Sequence, residues 1–380
     1  MNMPLQKAGK SRGPMLASSV LFCLLATACL APSPAAAACA ANMFGWFLDV
    51  SGQVAMLGAP GAGTGLIQET GKVEVYRQDD GVWRLGQTIL PRADALRFGY
   101  SLRMHGSTAA IGAPDSPAGG STRGEVYLYE LIAGSWRQSQ IITASDRHDT
   151  ARFGEAVAIY GDTLVVGSPF APSGGVKRGQ AYIFERQEGV WVETQVLRAG
   201  LPADMAWYGF YVAISDDTIM IGQPQGTRQA QPGRVYVYEK DDGRWQLTQI
   251  LTAGDRSAFD GFGMAFDLEA DRALIGSPYS PSGGSERGQV YAFERLDGAW
   301  QQTQILAANP QHDQDGFGMA VNLDGATAVL GAPWGDGGVN DQGAAYVYNL
   351  DDGLWLQNQV LRPDDPSANG WFGQAVGISG

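Results

Sequence analysis

Beyond residue 39 the chain has no cysteine. Its three cysteines, Cys23, Cys29 and Cys39, sit in or beside the N-terminal segment. The rest of the chain can therefore form neither a disulfide framework nor a thiolate metal site. Histidine is as scarce, with three in 380 residues. His105 falls in a turn, and His148 and His312 fall in long loops. None is matched to a recognisable nucleophile, and no Gly-x-Ser-x-Gly elbow occurs. Positive charge is in deficit: 26 Lys and Arg face 39 Asp and Glu, for a formal charge of −13. Such a surface cannot neutralise a phosphate backbone, which argues against nucleic acid. It also argues against electrostatic attachment to anionic lipid. Past the first 40 residues no apolar run reaches the length of a membrane span, and no stretch shows a helical period.

The first 40 residues differ from the rest. Lys7, Lys10 and Arg12 make a basic start, and residues 15–30 are apolar. Pro34 and Ala35 to Ala38 then supply small residues. Basic, then apolar, then small is the order of a secretory signal peptide. Cleavage after Ala38 or Ala40 removes those three basic residues and takes the formal charge from −13 to −16. The competing reading is a lipoprotein leader with a lipid anchor on Cys29. Ala26-Thr27-Ala28-Cys29 matches that pattern poorly, because alanine stands where a larger apolar residue is usual. The expected division is a leader over 1–40 and one folded unit over 41–380.

That unit repeats. A Phe-Gly or Tyr-Gly pair opens each copy at Phe44, Phe98, Phe153, Tyr208, Phe262, Phe317 and Phe372, every 54 or 55 residues. An alternating run follows, then a tight turn, then an apolar run ending in Gly-x-Pro at Pro60, Pro114, Pro169, Pro224, Pro278 and Pro333. A third run starts after a glycine. A fourth starts at Trp83, Trp136, Trp191, Trp245, Trp300 and Trp355. The runs are short, rich in Val, Ile, Tyr, Phe and Trp, and bounded by Gly, Pro and Asp, which is strand composition. Asp-Gly turns such as Asp242-Gly243 join the third run to the fourth. Four antiparallel strands per copy predict an all-β β-propeller rather than an open solenoid. Six copies are complete and a seventh holds only its first strand. The expectation is a propeller either closed by that last strand or incomplete at its C-terminus.

The Phe-Gly pairs, with Gly58-Ala59-Pro60, Gly112-Ala113-Pro114 and Gly331-Ala332-Pro333, resemble the FG-GAP repeats of the integrin α-subunit propeller. They are more similar still to bacterial exported FG-GAP repeat proteins. The resemblance covers 44–380 and implies the fold; it says little of activity. Integrin blades often carry an Asp-rich calcium loop between the two motifs. Here that interval is only a tight turn, as in Tyr160-Gly161-Asp162, so the calcium loop is not carried over. No cofactor and no metal ligand set is expected. Asp313 with Asp315, and Asp364 with Asp365, read as solvated loop acids.

The meander order predicts one face of short turns, expected to be flat, and one face carrying every long loop, where function tends to sit. Gln stands four residues after each repeated Trp, at Gln87, Gln140, Gln195, Gln249, Gln304 and Gln359. That spacing predicts one shared strand face and blade-to-blade packing. Positions that break the repeat are better site candidates. Just after Gly-x-Pro stand Gly61, Asp115, Phe170, Gln225, Tyr279 and Trp334. The aromatic three, Phe170, Tyr279 and Trp334, are the candidate ligand contacts. Phe210 and Trp371 also depart from the pattern, and Glu74 replaces a repeated tyrosine. The functional expectation is an exported, non-enzymatic binding module for a protein or a glycan at the cell surface or in the periplasm. A carbohydrate-active enzyme using loop carboxylates and a structural envelope module are the alternatives.

Overall fold

Each complete repeat folds as a four-stranded antiparallel meander. The computed structural model describes residues 43–379, apart from 64–68, 147, 174–175, 201–206, 225–231, 256–259, 283, 336–340 and 365–369. The leader with its cysteines, Gln225 and Asp365 lie outside the described residues. In blade 1 the strands are Leu48–Ser51, Val54–Ala59, Lys72–Asp79 and Val82–Ile89, paired in chain order. Blades 2 to 6 repeat this at 101–142, 156–197, 212–251, 266–306 and 320–361. Inner strands of successive blades contact one another around a central axis. The architecture is a six-bladed β-propeller, with no helix among the described residues.

The two repeated motifs have one physical cause. The Gly of Gly-x-Pro lies where the next blade's Phe-Gly backbone crosses it. A Cβ on Gly58, Gly112, Gly167, Gly222, Gly276 or Gly331 would overlap the carbonyl oxygen of the following unit's Phe-Gly glycine. That second glycine is held at a φ of about 90°, for example +87° at Gly154 and +91° at Gly318, a conformation that penalises a side chain. Glycine is thus required on both sides of every junction. The Phe or Tyr beside it turns inward onto the blade's own third strand. Phe153 meets Tyr182 edge-on at 5.3 Å, and Phe317 meets Tyr346 at 5.4 Å.

The Trp–Gln spacing works differently from the sequence expectation. In every blade the pairing of third and outer strands slips by one residue, between Leu128 and Tyr129 in blade 2 and between Ala292 and Phe293 in blade 5. This bulge leaves Ser139 or Thr303 unpaired in the ladder between Trp and Gln. An extra residue reverses the facing of every residue beyond it. Trp136 therefore packs toward blade 1, and Gln140 points toward blade 3. The packing role holds. Gln140 donates to the Trp191 carbonyl at 2.9 Å and accepts the Trp191 N–H at 2.9 Å. The same two-way bond joins Gln87 to Trp136, Gln195 to Trp245, Gln249 to Trp300 and Gln304 to Trp355. Each satisfies an edge-strand peptide that would otherwise lack a partner.

Residues 372–379 follow the inner-strand path without pairing to a second strand. Phe372 bridges Gly343 just as Phe317 bridges Gly288. Asn322 accepts the Ile378 N–H at 2.6 Å, and Ser379 Oγ accepts the Gly52 N–H at 2.9 Å. The segment thus contacts blade 6 on one side and blade 1 on the other.

Candidate functional site

Among the described residues, the connections after blades 2 and 5 are tied to the long loops inside those blades. Asp149, between blades 2 and 3, accepts from Arg123 Nε at 2.7 Å and from the Ser121 N–H at 3.2 Å. Asp313 repeats this with Arg287 at 2.6 Å and Ser285 at 3.2 Å. These bonds hold both carboxyls below the usual carboxylate range. Asp315 is fully buried rather than solvated, and it accepts the His312 N–H at 2.8 Å. Its peptide neighbour Gly316 lies under the Trp334 ring, which covers it. Among the described residues no group of three or more His, Cys, Asp or Glu side chains could hold a metal ion.

An aromatic arc runs over the long-loop face. The residue before each Phe-Gly pair has a left-handed backbone, including Arg97, Arg152 and Trp207 at φ 56°, 56° and 58°. This turns its side chain across the loops instead of into the blade. Trp46 lies 5.8 Å from Tyr100, and the Arg152 guanidinium covers Tyr100 at 5.2 Å and Phe170 at 5.8 Å. Phe170 meets Trp207 at 6.2 Å, and Trp207 stacks on Phe210 at 5.7 Å. All of these side chains are half-exposed. Further round, Tyr279 and Trp334 stack at 5.9 Å and 14°. In those two blades the residue before Phe-Gly is Gly261 or Gly316, and the aromatic after Gly-x-Pro occupies the space.

The structure therefore places the three candidate contacts in two groups. Tyr279 and Trp334 form one. Phe170 belongs to the other, with Trp207, Phe210 and Arg152. Trp371 stands apart, 44 % exposed. The sequence reading missed Trp46, Tyr100, Arg152 and Trp207. Their signal was the two columns flanking Phe-Gly: the one before it holds Arg97, Arg152 and Trp207 but Gly261 and Gly316, and the one after it holds Trp46, Tyr100 and Phe210.

Within the arc, Arg152 Nε lies 3.0 Å from Asp115 and 3.1 Å from Glu155. Glu155 is buried, and burial raises its carboxyl to about 7 even though Arg152 and Tyr100 oppose the shift. Desolvation outweighs the ion pair here. Because the folded value exceeds the unfolded one, folding gains from protonation. This stability is present below the ordinary carboxylate value and is lost as pH rises through about 7. Wild type should lose about 3 kcal/mol relative to Glu155→Gln between pH 4 and 8. Parallel urea melts across that range give the comparison; identical pH profiles would refute it.

A concavity of about 300 Å3 lies at the short-turn end of the axis, so that face is not flat at its centre. It is lined by Asp49, Arg103, Ala158, Ala213, Asp267 and Asn322, which stand at one repeat position in the six blades. Arg103 Nη2 donates to the Tyr211 hydroxyl at 2.8 Å, and the guanidinium covers Phe47 at 4.7 Å. Asp49 accepts the Met104 N–H at 2.6 Å, and Asp267 accepts the Leu323 N–H at 2.9 Å. These acids fasten one inner strand to the next.

Four windows, 136–184, 191–238, 245–293 and 300–348, match the FG-GAP repeat, together about half of the chain. The chain belongs to the FG-GAP repeat family. Each FG-GAP window opens on the Trp of one blade's outer strand and closes on the third strand of the next. The FG-GAP unit thus spans a blade junction, and it contains the Gln, the Phe-Gly pair and the Gly-x-Pro that build that junction. The chain has no match among curated proteins.

Proposed function

We propose that this FG-GAP propeller is an exported binding module that holds a glycan against the aromatic arc of its long-loop face. The observation that carries the reading is the run Trp46–Tyr100–Arg152–Phe170–Trp207–Phe210. Its rings are half-exposed and positioned by the scaffold in the free chain. Aromatic faces take the apolar face of a pyranose ring, and flanking Asp115, Arg97 and Arg152 offer acceptors and donors for hydroxyls. Export rests on the leader pattern of residues 1–40. Among the described residues no helix is long and apolar enough to cross a membrane.

The module is read as a binder without turnover. Asp115 and Glu155 are both engaged by one guanidinium, which suits a positioned recognition surface better than an acid–base pair. A panel of immobilised glycans tests this. Trp207→Ala should weaken binding about tenfold, the loss of one aromatic face worth about 1.4 kcal/mol. Trp371→Ala, outside the arc, should leave it unchanged. Release of reducing ends from the panel would establish the enzyme instead. Binding to proteins but to no glycan would replace the ligand class.

A further inference from the structure

The axial concavity at the short-turn end is two-sided. Asp267, Asn322, Asp49 and Arg103 line it from blades 5, 6, 1 and 2. Ala158 and Ala213 line it from blades 3 and 4. One side of the cup is therefore charged and polar, and the other is small and apolar. Residues two apart along a strand share a face, so the residues two before these form the next layer along the axis. In that layer Phe47 of blade 1 stacks on Tyr211 of blade 4 at 6.5 Å and 29°. The two rings meet across the axis and close it behind the charged layer. The concavity is a blind cup rather than a channel.

The charges in this cup do not close on one another. Arg103 donates to the Tyr211 hydroxyl at 2.8 Å and to its neighbour's carbonyl, that of Leu102, at 3.3 Å. Asp49 accepts the Met104 N–H at 2.6 Å. Asp267 accepts the Leu323 N–H at 2.9 Å and the Asn322 amide at 2.7 Å. Among the described residues no carboxylate comes into ion-pair contact with the Arg103 guanidinium. On the long-loop face, by contrast, Arg152 holds Asp115 at 3.0 Å and Glu155 at 3.1 Å. Asp49 and Asp267 nevertheless act on Arg103, and it on them. They face one another over open space. Arginine has five N–H donors and an ionised carboxylate about four acceptor sites, so both ends keep capacity for a third party.

We propose that this cup binds a free amino acid, with its carboxylate on Arg103, its ammonium between Asp49 and Asp267, and its side chain over Ala158 and Ala213. An amine alone would set a cation beside Arg103. A carboxylic acid alone would set an anion beside two carboxylates. A zwitterion satisfies both ends, and complementary charge placement of this kind selects among ligands. The volume of about 300 Å3 lies at the small end for ligand sites, which suits one amino acid and excludes a peptide or an oligosaccharide. The cup lies on the face opposite the aromatic arc, so this site is independent of the glycan surface.

Calorimetric titration of the full chain with each standard amino acid is the test. The best binder is then compared with its amine, which lacks the carboxylate, and its acid, which lacks the ammonium. Each truncated analogue should bind about tenfold more weakly or worse, the loss of one charge-assisted contact. Asp49→Asn keeps an acceptor for the Met104 N–H and should weaken the amino acid about tenfold. Ala213→Met fills the apolar side and should abolish binding. If Ala213→Met does not fold, Asp49→Asn decides. No heat of binding with any amino acid would overturn the proposal. An amine or an acid that binds as tightly as the amino acid would also overturn it, by making the cup a site for a simple cation or anion. Unchanged affinity in Asp49→Asn, or in folded Ala213→Met, would place the ligand elsewhere and overturn it too.

Discussion

Replacing Arg103 by methionine is expected to cost about 3 kcal/mol at neutral pH, with the loss shrinking as pH falls toward 4. Methionine keeps an apolar stem near Phe47 and Tyr211 but leaves Asp49 and Asp267 without their counter-ion. Burial already raises Asp49 from 3.8 to about 6, with Arg103 pulling the other way. Burial likewise raises Asp267. The guanidinium is itself raised: Tyr211, Asp49 and Asp267 outweigh the opposing effect of burial. Without the cation both acids become harder to ionise in the folded chain. The variant's stability should therefore fall as pH rises through about 6 and beyond, more steeply than in wild type. The cavity admits water, which places the cost at the lower end for a broken buried pair. Urea melts of wild type and variant between pH 4 and 8 measure it. A gap independent of pH would mean that Arg103 acts through packing alone.

Gly276→Val should be the more damaging change, removing about 4 kcal/mol and most of the soluble protein. A Cβ at this position would overlap the Gly318 carbonyl oxygen and crowd Ala265. Both obstacles are backbone, fixed by the junction of blades 5 and 6, so no side chain can swing away to relieve them. Gly298→Ala is the control. Nothing lies within 4 Å of a Cβ there, and only its φ of +79° is penalised, at about 1 kcal/mol. Unfolding midpoints of the two variants should differ accordingly. Similar midpoints would show that the junction of blades 5 and 6 can shift to admit a side chain at Gly276.

Most of the fold was legible because the repeat states it six times over. Strand number, the Asp-Gly turns and the sidedness of the loops all follow from local patterns that recur at one period. The packing role of Gln87, Gln140, Gln195, Gln249 and Gln304 was also legible, but its geometry was not. The expected shared face fails because each outer strand bulges at Gly86, Ser139 or an equivalent residue, and one extra residue reverses the facing. Phe170, Tyr279 and Trp334 stood out as departures from the repeat, yet they do not form one cluster. Whether an aromatic joins the arc depends on the residues that stand before the neighbouring Phe-Gly pairs. Gly261 and Gly316 leave room for Tyr279 and Trp334, whereas Arg152 and Trp207 reach across to Phe170.

By itself the sequence determined the propeller, its membership of a repeat class and the residue types at every junction, because each unit must bury its faces against the next. Tertiary structure decided what the non-repeating residues do. Arg103 meets Tyr211 two blades away across the axis, a contact between positions 108 apart that no local pattern encodes. The exposure of Gln359, against the Trp-backbone pairing of Gln87, Gln140, Gln195, Gln249 and Gln304, likewise depends on what stands beside it in the ring. A repeat specifies its neighbour; only ring closure specifies which neighbour is present.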